Sequence, residues 1–156
     1  MLSPDFKEFI ELLNAHNVQY LIVGGYALAF HGHPRYTKDI DVWIAANTEN
    51  AERMLKVLTD FGFSSLALSL QDFLEEDNII QLGFPPNRID ILTSVDGIEF
   101  ENSTPQSSVI EVDGVNIHLI GIHNLIENKT ASGRLQDLAD VEKLQAILRE
   151  QGKSSD

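Results

Sequence analysis

Two pairs of residues constrain this chain more than anything else in it: Gly24-Gly25, directly after the apolar run Tyr20-Leu21-Ile22-Val23, and Asp39-x-Asp41 farther on. Four apolar residues stopped by two glycines read as a buried strand ending in a turn. Tyr26 to His31 then read as a short helix, broken at Gly32-His33-Pro34. Glycines at such a junction let backbone approach a phosphate closely, and a helix N-terminus adds free N–H groups and a positive dipole end. Asp39-Ile40-Asp41-Val42-Trp43-Ile44 alternates as a strand, so Asp39 and Asp41 share one face while Ile40 and Val42 share the buried one. Side-by-side carboxylates repel unless a cation lies between them, and oxygen ligands of this kind suit Mg²⁺ or Mn²⁺.

Arg88-Ile89-Asp90-Ile91 supplies a third acidic strand residue among apolar neighbours. If that strand lies beside the first, Asp90 completes a metal clamp and is placed to take the proton of an attacking hydroxyl. Each element has a plainer reading. An Asp-x-Asp strand is often a solvated face, and a Gly-Gly is often only a turn. Arg88 with Asp90 reads equally as a surface ion pair worth about 0–1 kcal/mol. The order and spacing of the whole combination favour the site. His31 and His33 lack a third ligand nearby, so capping or hydrogen bonding is expected of them rather than zinc. Trp43 shares the aspartate face, where core packing is a better expectation than stacking on a base.

Elsewhere, Ser3-Pro4-Asp5 starts a helix whose apolar positions recur up to about Asn17. Thr48 is expected to cap a second helix, stopped near Gly62. Further strands are expected at Ser65–Leu68, Ile79–Gly83 and Arg88–Leu92, with Pro85-Pro86-Asn87 as a turn. Val109–Val112 and Val115–Ile120 flank Asp113-Gly114, a strong hairpin signal. Helices over Ile122–Ala131 and Arg134–Glu150 meet near Gly133. The expectation is an α/β (α+β) fold: a mixed sheet with helices packed mainly on one side. Residues 1–150 read as a single domain, with 151–156 as a frayed tail.

The 156 residues suffice for one core, and with no cysteine there are neither disulfides nor thiolate metal sites. No apolar run approaches the roughly 20 residues that span a bilayer, and the N-terminus lacks secretory features. A cytoplasmic protein is expected. Acidic residues outnumber basic ones by 24 to 11, a formal net charge of −13. Long nucleic acid is an unlikely partner for such a chain, because gripping many phosphates calls for a basic face. A nucleotide held with metal in one pocket remains compatible.

With these residues in view, VGGYALAFHGHPRYTKDIDVWI, residues 23–44, resembles the signature of the nucleotidyltransferase superfamily, the fold of DNA polymerase β. The run from Gly24 to Asp41 and the segment LIENKTASGRLQDLADVEKL, residues 125–144, look most like small bacterial nucleotidyltransferase-like proteins related to abortive-infection type toxins and lincosamide nucleotidyltransferases. The resemblance implies that Gly24 and Gly25 hold a nucleoside triphosphate, while Asp39, Asp41 and Asp90 hold Mg²⁺ or Mn²⁺ and are the catalytic residues. It makes Arg35, Lys38, Lys129 and Arg134 phosphate contacts. Two of them have a plainer alternative: Arg134 and Asp137 can pair along a helix, and Lys129 can face solvent. Gln136 stands where relatives often carry a basic residue, which weakens the late phosphate site.

The function implied is metal-dependent transfer of a nucleoside monophosphate from a nucleoside triphosphate to a hydroxyl of a small molecule, protein or RNA. The competing expectation is a nucleotidyltransferase-like binding or regulatory module of a toxin–antitoxin type pair, working with a small protein partner and with weak or no catalysis.

Overall fold

The computed structural model describes residues 2–63 and 66–154. Helix α1 (Pro4–Ala15) starts as its sequence dictates: the Ser3 hydroxyl accepts a hydrogen bond from the Phe6 amide, and proline occupies the first turn. Its buried positions, Phe6, Phe9, Ile10 and Leu13, follow the helical period. Strand β1 (Tyr20–Val23) is buried along its whole length. Helix α2 (Gly24–Phe30) follows without a loop, so the two glycines form its first turn instead of preceding it.

Strand β2 (Ile40–Ile44) begins one residue after Asp39. Helix α3 (Thr48–Asp60) is capped by Asn47, not Thr48, because the Asn47 side chain accepts from the Asn50 amide. Asn50 is itself fully buried, yet every polar group it carries is used. It accepts from the Gln19 amide and donates to the Gln19 and Ala45 carbonyls, tying the start of β1 to the end of β2. The strand expected at Ser65–Leu68 does not form in its described part: Ser65 lies outside the described residues, Leu66 is in a 3-10 turn, and Ala67 has φ of 54°.

Strands β3 (Ile79–Leu82) and β4 (Ile89–Leu92) are joined through the turn closed by the Asn87 amide on the Phe84 carbonyl. After the short helix α4 (Phe100–Ser103) comes the hairpin of β5 (Ser108–Val112) and β6 (Val115–Leu119). Its turn residues Asp113 and Gly114 both have positive φ, 52° and 81°, as a tight hairpin turn needs. Helix α5 (Ile122–Ser132) ends on Gly133 in the left-handed region, and α6 (Leu135–Ser154) continues into the segment expected to fray. Ser155 and Asp156 lie outside the described residues.

The six strands of the described residues form one mixed sheet in the order β3-β4-β2-β1-β6-β5. Strand β2 runs antiparallel to β1 and parallel to β4, and the registers that matter are Val23 opposite Asp41 and Asp41 opposite Asp90. Side chains in register on adjacent strands project to the same face. Asp41 and Asp90 are therefore neighbours by construction, at the end of β1 where α2 begins. Trp43, two residues along from Asp41, is 2% exposed and packs edge-on against Phe100. It is a core residue, which removes it as a stacking platform.

Candidate active site

Gly24 has φ of +70°, and a Cβ placed on it would sit 2.1 Å from Asp41 Oδ2. Two separate constraints thus demand glycine there. At Gly25 a Cβ would meet Thr37 Cγ2 at 2.8 Å. Thr37 in turn donates from its hydroxyl to the Arg35 carbonyl, shaping the loop that enters β2. The glycine pair therefore makes room for protein groups, the Asp41 carboxylate and the Thr37 side chain. Gly24→Ala is expected to destabilise the fold by about 2 kcal/mol or more, from the left-handed backbone and the clash together. Urea denaturation measures it, and an unchanged midpoint would mean that Asp41 turns aside without cost.

The three aspartates differ in what surrounds them. Arg88 donates from Nε to Asp90 Oδ1 at 2.8 Å and from Nη2 to Asp90 Oδ2 at 3.1 Å, and Nη2 also lies 2.9 Å from Asp39 Oδ2. Both Asp90 oxygens are thus bound, while Asp39 Oδ1 is buried without a partner among the described residues. Asp41 is left facing two like charges. Burial first, then the charges of Asp90 and Asp39, push its carboxyl up to about 7 against the smaller pull of Arg88 and Lys129. Among the described residues no three acidic or histidine side chains are gathered as a ready-made metal cage. The donor chemistry nevertheless fits a hard divalent cation: three carboxylates at the ends of adjacent strands, one oxygen orphaned, one acid short of a counter-charge. What does not fit is the rotamer of Arg88, which turns two of the three carboxylates toward itself.

The late basic residues are already paired. Lys129, only 6% exposed, donates from Nζ to Asp137 at 3.2 Å and to Asp140 at 2.9 Å. It does not face bulk solvent. Arg35 meets the same fully buried Asp140 through both terminal nitrogens, and Gln136 also donates to it. Burial raises the Asp140 carboxyl, but the bonds from Arg35 and Lys129 outweigh it and hold it below the usual range. Asp137 is lowered in the same way, its burial outweighed by bonds from Ser132, Lys129 and Arg134. Arg134 pairs with Asp137 three residues along at 2.9 Å, yet its side chain stays 80% exposed. Lys38 is exposed in the loop before β2. His31 Nε2–H donates to the Ile120 carbonyl at 2.7 Å, which occupies that ring nitrogen in a hydrogen bond, and burial lowers the pKa of the ring.

A cleft of about 290 Å³ joins these parts. Gly24 and Asp41 form one wall, Asn128, Lys129, Ser132 and Arg134 another, and Asp77 and Asp96 a third. Arg35, Lys38, Gly25, Asp39 and Asp90 do not line it. A roomier cleft of about 570 Å³ opens at the far end of β1 between Asn14, Tyr20 and His118, but among the described residues no aspartate, glutamate, lysine or arginine lines it. A polyphosphate has nothing to grip there. Sequence reasoning missed Asp140 altogether. The signal was present in Asp137-x-x-Asp140, a spacing that puts both acids on one helical face.

The fold is similar to that of solved nucleotidyltransferases. A Thermotoga maritima protein assigned as a nucleotidyltransferase superposes with a TM-score of 0.55 at 15% identity, covering 96% of each chain. An antigenic nucleotidyltransferase-like protein of Paracoccidioides brasiliensis gives 0.59 at 14%, covering 95% of this chain and 78% of that one. The lincosamide antibiotic adenylyltransferase LnuA, with lincomycin bound, gives 0.56 at 15%, covering 94% and 98%. Likeness at such identities concerns the fold. The chain belongs to the family "Nucleotidyltransferase of unknown function (DUF6036)", whose model matches residues 4–150. No curated protein matches it.

Proposed function

We propose that this protein transfers a nucleoside monophosphate from a nucleoside triphosphate to a hydroxyl, with a divalent metal, at the cleft between Gly24, Asp41 and Lys129. The observation that carries the reading is the register of Asp41 against Asp90, which sets two carboxylates together beside a cleft that also holds cationic groups. Asp39, Asp41 and Asp90 would hold Mg²⁺ or Mn²⁺, which when bound would neutralise charge on the triphosphate and on the departing pyrophosphate. Arg134, exposed apart from its bond to Asp137, offers its remaining guanidinium nitrogens to phosphate. Lys129 contributes a buried positive charge at the wall, fixed in place by its two aspartates. Asp90 can accept a proton from the acceptor only when Arg88 releases it. LnuA, a neighbour in fold, is an adenylyltransferase crystallised with an antibiotic, which supports a small acceptor as one candidate class. The charge of −13 supports a small molecule or a protein over long nucleic acid. No helix of the described residues is long and apolar enough to cross a membrane.

Calorimetric titration with ATP, GTP, CTP and UTP, each with and without Mg²⁺, tests the reading. At least one nucleotide should bind about tenfold or more tightly with metal, because clustered carboxylates repel a polyphosphate until cations intervene. Failure of all four at millimolar concentration with metal present would remove it. The Arg88 bridge favours a second reading, a nucleotidyltransferase-like binding or regulatory module with weak or no catalysis. Mass spectrometry for a nucleotide covalently added to candidate acceptors separates the two.

A further inference from the structure

Arg88 stands where the carboxylate site needs positive charge. Its backbone is pinned, since its carbonyl accepts from the Ile40 amide at 3.1 Å. Its side chain is 26% exposed, at the end of the turn that leads into β4, so solvent lies beside it. It engages three of the four oxygens of Asp39 and Asp90 and leaves Asp39 Oδ1 buried without a partner among the described residues. One guanidinium cannot neutralise three carboxylates, so the site is held together but under-compensated.

We propose that Arg88 is the exchangeable counter-cation of this site: it holds Asp39 and Asp90 until a divalent cation arrives with a nucleoside triphosphate, and its guanidinium then moves to the phosphates. The inference rests on the nucleotidyl-transfer reading and adds a coupling to it. A metal ion binding alone must break three charge-assisted contacts and leave a displaced guanidinium close to a new positive charge. A metal ion binding with a triphosphate supplies the fork with new oxygen acceptors of matching geometry. Metal and nucleotide therefore promote each other's binding, by the same factor in both directions. Arginine suits the task because its planar fork grips both oxygens of Asp90 while one of its nitrogens still reaches Asp39.

The test measures binding without turnover. Free Mn²⁺ is followed by electron paramagnetic resonance for the wild type, Arg88→Met and Arg88→Lys. Binding of the non-hydrolysable α,β-methylene analogues of ATP, GTP, CTP and UTP is followed by calorimetry, in EDTA and in Mn²⁺. Without nucleotide, Arg88→Met should bind Mn²⁺ about tenfold more tightly than the wild type, since no internal cation has to leave. The gain in analogue affinity on adding Mn²⁺ should shrink in the variant by about the same factor. Arg88→Lys covers the case in which the methionine variant does not fold: lacking the fork, it should show the same changes at about threefold. If no analogue binds the wild type with Mn²⁺ present, the transfer reading fails and Arg88 loses its role with it. If an analogue binds the wild type, and the folded variants keep both its Mn²⁺ affinity and its coupling, the transfer reading stands and the role of Arg88 is overturned.

Discussion

Asp41→Asn is expected to make the metal-free protein more stable at pH 8 and nearly unchanged at pH 4.5. The carboxyl of Asp41 is raised from 3.8 to about 7 by burial and by its acidic neighbours. A raised acid favours folding in its protonated form, so its favourable contribution is complete below about pH 4 and lost as pH rises through about 7. Over that window the unfolded chain ionises freely while the folded one resists. The full gap corresponds to about 4 kcal/mol, and the partial access of Asp41 to water lowers the expected effect to about 2 kcal/mol. The neutral amide escapes the penalty. Urea unfolding in EDTA at pH 4.5 and 8 reads the difference directly, and the comparison with wild type cancels the contributions of other titrating groups. Added Mg²⁺ should reverse the order at pH 8, because it binds the native wild type and the variant has lost a ligand. Equal pH dependence of the two proteins would show that Asp41 is already compensated, and the electrostatic case for a cation beside it would fall. Stability given up at one aspartate in this way is the usual mark of a group retained for binding.

How far the sequence could be read depended on the range of the interaction. Local signals were legible: the Ser3 cap, the Asp113-Gly114 turn, the alternation of β2 and the helical period of α1 each involve groups a few residues apart. So was the pairing of Asp41 with Asp90 in the candidate site, because they sit on strands whose own patterns fix the face they present. Pairwise partners across the chain were not legible. Nothing in Arg35 announces Asp140, and nothing in Gly24 announces that the atom needing its missing Cβ belongs to Asp41. The glycines are a plain case. From sequence they suggested room for a phosphate, while in the fold that room is taken by a carboxylate and a threonine. Arg88 was readable as a partner of Asp90, two residues away on one strand face, but its reach to Asp39 depends on β2 lying beside β4. Thr48 lost the cap to Asn47 for a reason below the resolution of pattern reading, since both residues cap well and only the backbone angle decides.

Lys129→Met is expected to lower stability by about 3–5 kcal/mol, which for a domain of this size is about 10 °C in melting temperature. A lysine whose main work was to touch a bound phosphate would show a change in ligand affinity with little change in folding. Lys129 is instead 6% exposed and lies between Asp137 and the fully buried Asp140. Removing it leaves Asp140 with Arg35 and Gln136, and Asp137 with Ser132 and the exposed Arg134, in a region where water cannot replace the lost bonds. The depressed carboxyls of both aspartates work in the same direction: their contribution to stability is present above the ordinary carboxylate range and lost as pH falls below it. The variant should therefore differ most from wild type near neutral pH and least in acid, where the wild-type pair is itself protonated. Adding Asp140→Asn to Lys129→Met should recover part of the loss, because the uncompensated charge is then gone. A single variant that keeps its melting temperature but loses metal-dependent nucleotide binding would return Lys129 to the role of phosphate contact. A variant that loses stability and recovers it with Asp140→Asn would establish the Lys129–Asp137–Asp140 cluster as the girder that holds α5 against α6 and, through Arg35, fixes the loop entering β2 on which the carboxylate site is built.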